Sequence, residues 1–137
     1  MKLIHEDTFK IFYENTDSSG FTYHTSYLAL AERARSNMLN ENFPEISLML
    51  KENSYFFVIK KLQIDFFKPT NLFDKLTIST FFKSNSLSSI DLIQKIKKES
   101  LFISEIIICL VWINGKTKKP SRIPSDLISR FKALEVV

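Results

Sequence analysis

The chain has little with which to break its own backbone. Only two glycines and four prolines occur in 137 residues, so each glycine marks a place where positive φ or a close approach is needed. The single cysteine, Cys109, excludes an internal disulfide. Its neighbours Ile108 and Leu110 put it in an apolar strand, where a cysteine behaves as a small hydrophobe. Long apolar runs are missing too. The longest, Ile106 to Ile113, is far short of the ~20 residues of a membrane-spanning helix. The opening Met1–Lys10 is too charged for a secretory signal, so the expected location is cytoplasmic. The excess of either kind of charge is small as well. Nineteen Lys and Arg stand against fifteen Asp and Glu, a net +4, and they are spread along the chain with acids between them. Nucleic acid is therefore not an expected partner.

What is present is the composition of a globular protein: 45% hydrophobic and 25% charged, with thirteen phenylalanines. The length fits one domain over residues 1–137. A short strand is expected over about Thr8 to Tyr13. His24 to Asn42 then runs without Gly or Pro until Pro44 stops it. Its apolar residues Tyr27, Leu30, Ala31, Ala34 and Met38 recur at helical spacing. From Ser54 the period changes to two. Phe56, Val58, Leu62, Ile64 and Phe66 share one phase, Leu76, Ile78, Thr80 and Phe82 the next, and Ile90, Leu92, Gln94 and Ile96 a third. Leu101 to Ile113 is apolar in both phases and should be central, covered on both sides. Asn114-Gly115 predicts a type I′ hairpin turn. A last helix should follow Pro124, capped by Ser125.

These elements predict an α+β architecture, one long helix covered by one curved antiparallel sheet. Apolar residues expected on the outer face, Phe57, Ile59 and Phe81, predict association with further copies.

One segment stands apart. Tyr13-x-x-Thr16-Asp17-x-x-Gly20-x-x-x-His24-x-x-Tyr27-Leu28, followed by Glu32-Arg33-Ala34-Arg35, closely resembles the signature of the hotdog-fold acyl-CoA thioesterases, specifically the 4-hydroxybenzoyl-CoA thioesterase group and its Tol-Pal-associated bacterial branch. Lys119-Pro120-x-Arg122-x-Pro124 is similar to that branch's closing segment. The resemblance implies a five-stranded sheet in the order one, three, four, five, two, wrapped around the helix. It also implies thioester hydrolysis without metal or cofactor, and homodimers or homotetramers joined through the second strand with sites between subunits.

The chemistry asks for a nucleophile or base near the thioester carbonyl and donors where its oxygen gains charge. Asp17 is the candidate for the first. Backbone amides around Tyr23 and His24, at the start of the helix, are candidates for the second. His24 is a candidate for orienting thioester or water, and Tyr13 for offering its hydroxyl. Thr16 and Gly20 shape the substrate side, with Gly20 expected to let the loop pass close beneath the thioester. The plainer alternative is an Asx turn leading into the helix. Lys119 and Arg122, with Lys116 and Lys118 nearby, are candidates for the phosphates of coenzyme A. Glu32 and Arg35 read as a surface ion pair. Two other classes compete: a hotdog module that binds a thioester or protein without catalysis, and a hotdog dehydratase with its histidine elsewhere.

Overall fold

Helix α1 spans His24–Asn42 in the computed structural model, which describes residues 1–136. It lies inside one curved sheet made of β1 (Lys2–Lys10), β2 (Tyr55–Phe66), β3 (Lys75–Asn85), β4 (Ser89–Lys98), β5 (Leu101–Asn114) and a two-residue β6 (Lys119–Pro120). Two short helices, α2 (Pro44–Glu52) and α3 (Ser125–Ala133), complete the chain. All pairings are antiparallel in the order β1-β3-β4-β5-β2, with β6 on the end of β5. This is the hotdog arrangement. Its core joins Tyr27, Leu30, Ala31, Ala34 and Met38 of α1 to the inward phases of β3, β4 and β5. No helix among the described residues is long and apolar enough to cross a membrane.

Several boundaries differ from expectation for physical reasons. β1 ends at Lys10, and Tyr13 falls instead in a 3-10 turn, Tyr13–Asn15, held by Asn15 Oδ1 accepting from the Phe12 amide at 2.9 Å. Pro44 ends α1 but also opens α2, since the first helical turn needs no amide hydrogen there. Ser125 does not cap α3. Pro124 occupies that position, and no side-chain cap bond forms.

A register shift between Ile59 and Lys61 reverses which face β2 presents. Phe57 therefore points inward and packs on Trp112, ring centroids 4.8 Å apart, and Ile59 borders a cleft beside α1. Neither belongs to the outer face, whereas Leu62 and Ile64 are inward as the pattern suggests. β5 is interior as expected. Ile106, Ile108, Leu110 and Trp112 are buried, but Ile107, Cys109 and Val111 on its other face are only half-buried within one chain.

The second glycine serves a close approach. The Asn114–Lys119 connection is a longer loop closed by the Lys118 amide donating to Asn114 O at 2.8 Å, and Lys118, not Gly115, takes positive φ. Gly115 donates its amide to Ser54 O at 2.8 Å. A Cβ there would lie 1.8 Å from Asn53 O, so two segments distant in sequence meet where only glycine fits. Gly115→Ala should cost about 3 kcal/mol, the upper end for an overpacked site. A urea titration checks it, with a lowered midpoint at unchanged m.

Candidate active site

Between β1 and α1 the chain forms a small hairpin. The Tyr23 amide donates to Asn15 O at 2.7 Å, Thr16 pairs with Thr22, and the Asp17 amide donates to Phe21 O at 2.9 Å. At the tip, the Gly20 amide donates to Asp17 O at 3.1 Å while Gly20 itself takes φ +88°. A tight turn followed by a left-handed glycine is the usual way to close a three-residue hairpin loop. A Cβ on Gly20 would meet nothing within 4 Å. Within the chain, the glycine is needed for its backbone conformation and not for clearance.

The turn orients Asp17. Its Oδ1 accepts from the Ser19 amide at 2.8 Å and from the Ser19 hydroxyl, so the Asx turn is present. Oδ2 has no partner among the described residues and remains open for chemistry. The Ser19 hydroxyl first, then the Ser19 and Phe21 amides, hold the carboxyl below its ordinary range. The hairpin's own donors thus favour the ionised form of Asp17.

The hairpin leads directly into α1. Tyr23 N is consumed by Asn15, so the free helical amides are those of His24 and Thr25, which meet no acceptor among the described residues. The exposed His24 imidazole stacks on Tyr23 at 4.9 Å and meets the edge of Phe66 at 6.4 Å. With Tyr27, Phe66, Phe67 and Lys68, His24 lines a cleft of about 270 Å³. Its imidazole makes no hydrogen bond to Asp17, which sits further out along the hairpin.

The remaining candidates separate. The Thr16 hydroxyl donates to Tyr13 O at 2.8 Å and so fastens the 3-10 turn. Tyr13 is 82% exposed, filling neither core nor site within the chain. Lys119 lies on β6, and Arg122 beside the β3–β4 turn, in a cleft with Asn85, Ser86 and Ser125. Asp17 belongs to the opposite end, where Ile11 meets Asp74 just before β3. The length of β3, at ~3.3 Å per residue, separates the two ends by roughly 30 Å. Cys109 is half-buried, and burial followed by the nearby Asp91 pushes its thiol up, away from a reactive thiolate.

Sequence reasoning missed Phe66, Phe67, Lys68 and Thr70, which read as the end of a strand. The Thr70 carbonyl accepts from the Thr22 amide at 2.8 Å, and its hydroxyl lies 2.6 Å from Thr22 Oγ1 and 2.8 Å from Tyr27 Oη. No group of three metal-ligating side chains occurs among the described residues.

A family profile described as the thioesterase-like superfamily matches residues 12–131. The acyl-CoA thioester hydrolase YbgC of Escherichia coli is 32% identical over 125 residues, covering 90% of this chain and 92% of its own. The acyl-CoA thioesterase YbgC of Helicobacter pylori is 34% identical over 126 residues, covering 84% and 90%. A probable thioesterase from Bartonella henselae, solved by crystallography, superposes with a TM-score of 0.79 at 27% identity, covering 88% of this chain and 99% of that one.

Ser19 carries a prediction that needs no substrate. A carboxyl-detected NMR titration should place the Asp17 midpoint below the ordinary value, and Ser19→Ala should move it up towards that value. A depressed carboxyl favours the folded hairpin above the ordinary carboxylate range, and that benefit is lost as pH falls through the folded midpoint. An unmoved midpoint in Ser19→Ala would mean that the hydroxyl does not hold the carboxylate.

Proposed function

The chain belongs to the thioesterase-like superfamily, and from that premise we propose that it hydrolyses acyl-CoA thioesters at the junction of the Asp17 hairpin and α1. The observation that carries this reading is an ionised carboxylate with one free oxygen, on a hairpin that leads straight into the unpaired amides of a helix start. Asp17 Oδ2 supplies the attacking or proton-accepting oxygen. The amides of His24 and Thr25 face the charge that develops on the thioester oxygen, where fixed backbone donors need no rearrangement. The cleft behind His24, walled by Tyr27, Phe66 and Phe67, takes the atoms next to the carbonyl.

Two routes use the same groups. Oδ2 attacks the carbonyl carbon, the C–S bond breaks and coenzyme A leaves as its thiolate, and water cleaves the resulting anhydride at the Asp17 carboxyl carbon, releasing the free acid and the proton that the thiolate takes up. Alternatively, Oδ2 takes a proton from water as that water attacks. Single turnover in isotopically heavy water separates them, because only the first route labels the Asp17 carboxylate.

The unpaired outer edge of β2 proposes the assembly. It runs twelve residues, and Val58 on it is exposed, an edge that needs covering. Two copies joined antiparallel across this edge would set the Tyr55 end of one chain beside the Phe66 end of the other. The same operation carries the distant lysine-rich loop and Arg122 of one subunit towards the Asp17 end of its neighbour. Lys119 and Arg122 are therefore assigned to coenzyme A phosphates across the interface, with a homodimer as the smallest active unit and a homotetramer compatible with it.

Asp17→Asn keeps shape and removes charge, so activity should fall by ~10² to 10⁴ in kcat while the fold survives. His24→Ala, which keeps the backbone amide, should lose less. Both comparisons require wild-type oligomer size and Tm. A folded Asp17→Asn with near wild-type kcat would remove Asp17 from the mechanism. Arg122→Ala should raise KM about tenfold with little change in kcat. Light scattering should give at least twice the mass of one chain, and a fully active monomer would exclude the shared site.

A further inference from the structure

Glu32 and Arg35 do not form the surface ion pair that their spacing suggests. Glu32 is exposed, whereas Arg35 is only 7% exposed. No carboxylate stands within ion-pair distance of Arg35 among the described residues. Its Nη1 donates to Gln94 Oε1 at 2.7 Å, and Gln94 is fixed in turn by donating to Ala31 O at 3.0 Å and Thr80 Oγ1 at 3.2 Å. Burial lowers the guanidinium's proton affinity, opposed by the charge of Glu32, but an arginine stays cationic at neutral pH. Five donors on a buried cation thus meet one neutral acceptor. The only buried side-chain nitrogen or oxygen wholly without a partner among the described residues is His5 Nδ1. Arg35 is also one of the residues that line a cavity.

That cavity is a cleft of about 160 Å³ whose walls are mostly apolar, including Leu39, Leu50, Phe57 and Ile59, with Glu32 at its border. It lies on the same flank of α1 as His24. Eleven residues separate His24 from Arg35, close to three full turns and about 16 Å along the axis. β2 runs beside this flank, with Phe66 at the His24 end, Phe57 and Ile59 at the Arg35 end, and inward-facing Leu62 and Ile64 between them. The His24 cleft and the Arg35 cleft are thus separated by apolar side chains of β2 that pack on the core, and the far cleft ends on a cation.

We propose that Arg35 is a specificity-determining residue: an acyl chain laid along the α1–β2 seam, parting Leu62 and Ile64, runs from the His24 cleft to the Arg35 cleft, and a hydrogen-bond-accepting oxygen at its far end completes the guanidinium. This rests on the thioesterase reading above. An extended chain advances about 1.2 Å per bond, so the polar end falls on the order of ten to fourteen bonds from the carbonyl. A methyl end would displace water from a cation and return no acceptor. Glu32 at the border disfavours a second full negative charge, so a hydroxyl or keto oxygen suits the cleft better than a carboxylate.

The test compares dodecanoyl-CoA, ω-hydroxydodecanoyl-CoA and the ω-carboxyl analogue on the wild type, Arg35→Met and Arg35→Lys. The wild type should show a KM about tenfold lower for an oxygen-ended chain than for the methyl-ended one. Arg35→Met should abolish that preference by raising only the oxygen-ended KM, with Arg35→Lys intermediate and kcat little changed. A wild type that treats methyl and oxygen ends alike, or an Arg35→Met that raises every KM equally, overturns the proposal. A thermal-shift comparison of free ω-hydroxydodecanoate with dodecanoate gives a readout independent of turnover. If no acyl-CoA is hydrolysed, the thioesterase reading fails. Arg35 is still judged by whether the hydroxy acid raises Tm more than the plain acid in the wild type, with equal shifts counting against it. Should Arg35→Met not fold, the wild-type comparisons decide.

Discussion

The junction of the Asp17 hairpin, α1 and the sheet hangs on Thr70. It is fully buried, its carbonyl receives the Thr22 amide, and its hydroxyl joins those of Thr22 and Tyr27. These three groups come from the hairpin, the helix and the β2–β3 connection, so one cluster sets the angle at which the hairpin enters α1. Losing any member would strand buried hydroxyls, each at a cost of about 1–3 kcal/mol. The hairpin is thereby held to the sheet at its base, while its tip, Ser18 to Gly20, is exposed.

This division explains how the candidate groups are tuned. The lowering of the Asp17 carboxyl comes mainly from Ser19 two residues away, with no charged neighbour among its causes. The His24 and Thr25 amides are unpaired because no side chain caps α1. Helix starts commonly recruit Ser, Thr, Asp or Asn for that purpose. Here Tyr23 holds the cap position and Asp17 is turned towards Ser19, so the donors remain available to a ligand.

How much of this was legible depended on whether the determining contact was local. α1 could be read from His24 to Asn42 because its signal is internal: no Gly, no Pro, and apolar residues at helical spacing. The phases of β3 and β4 could be read for the same reason. The β2 bulge could not, since the shift between Ile59 and Lys61 is set by pairing with β5 some fifty residues later, and one misplaced step turned Phe57 and Ile59 onto the wrong face. Asn114-Gly115 carried a true turn signal, but the glycine answers to Asn53 and Ser54. At the site, the Asp17–Gly20 spacing announced its turn, whereas Phe66 and Thr70 join it only when the sheet closes. Arg35 was misread because spacing on a helix says which residues are neighbours and not which side of the neighbourhood is wet.

That misreading bears on why the polar cluster exists. Arg35, Gln94 and Thr80 sit where the rest of the α1–sheet contact is apolar, and Gln94 and Thr80 are fully buried. For stability alone, well-packed hydrophobic residues at such positions commonly do as well as buried charge or better. The network also leaves its cation without a counter-charge in ion-pair range, so the free protein is electrostatically incomplete there. The amide of Gln94 stiffens the guanidinium without neutralising it, which suits a group that must wait in place for an acceptor. A site whose first half is a carboxylate at the helix start and whose second half is a cation three turns along would measure its substrate at both ends: the thioester by the chemistry it undergoes, and the acyl group by the distance at which its oxygen arrives.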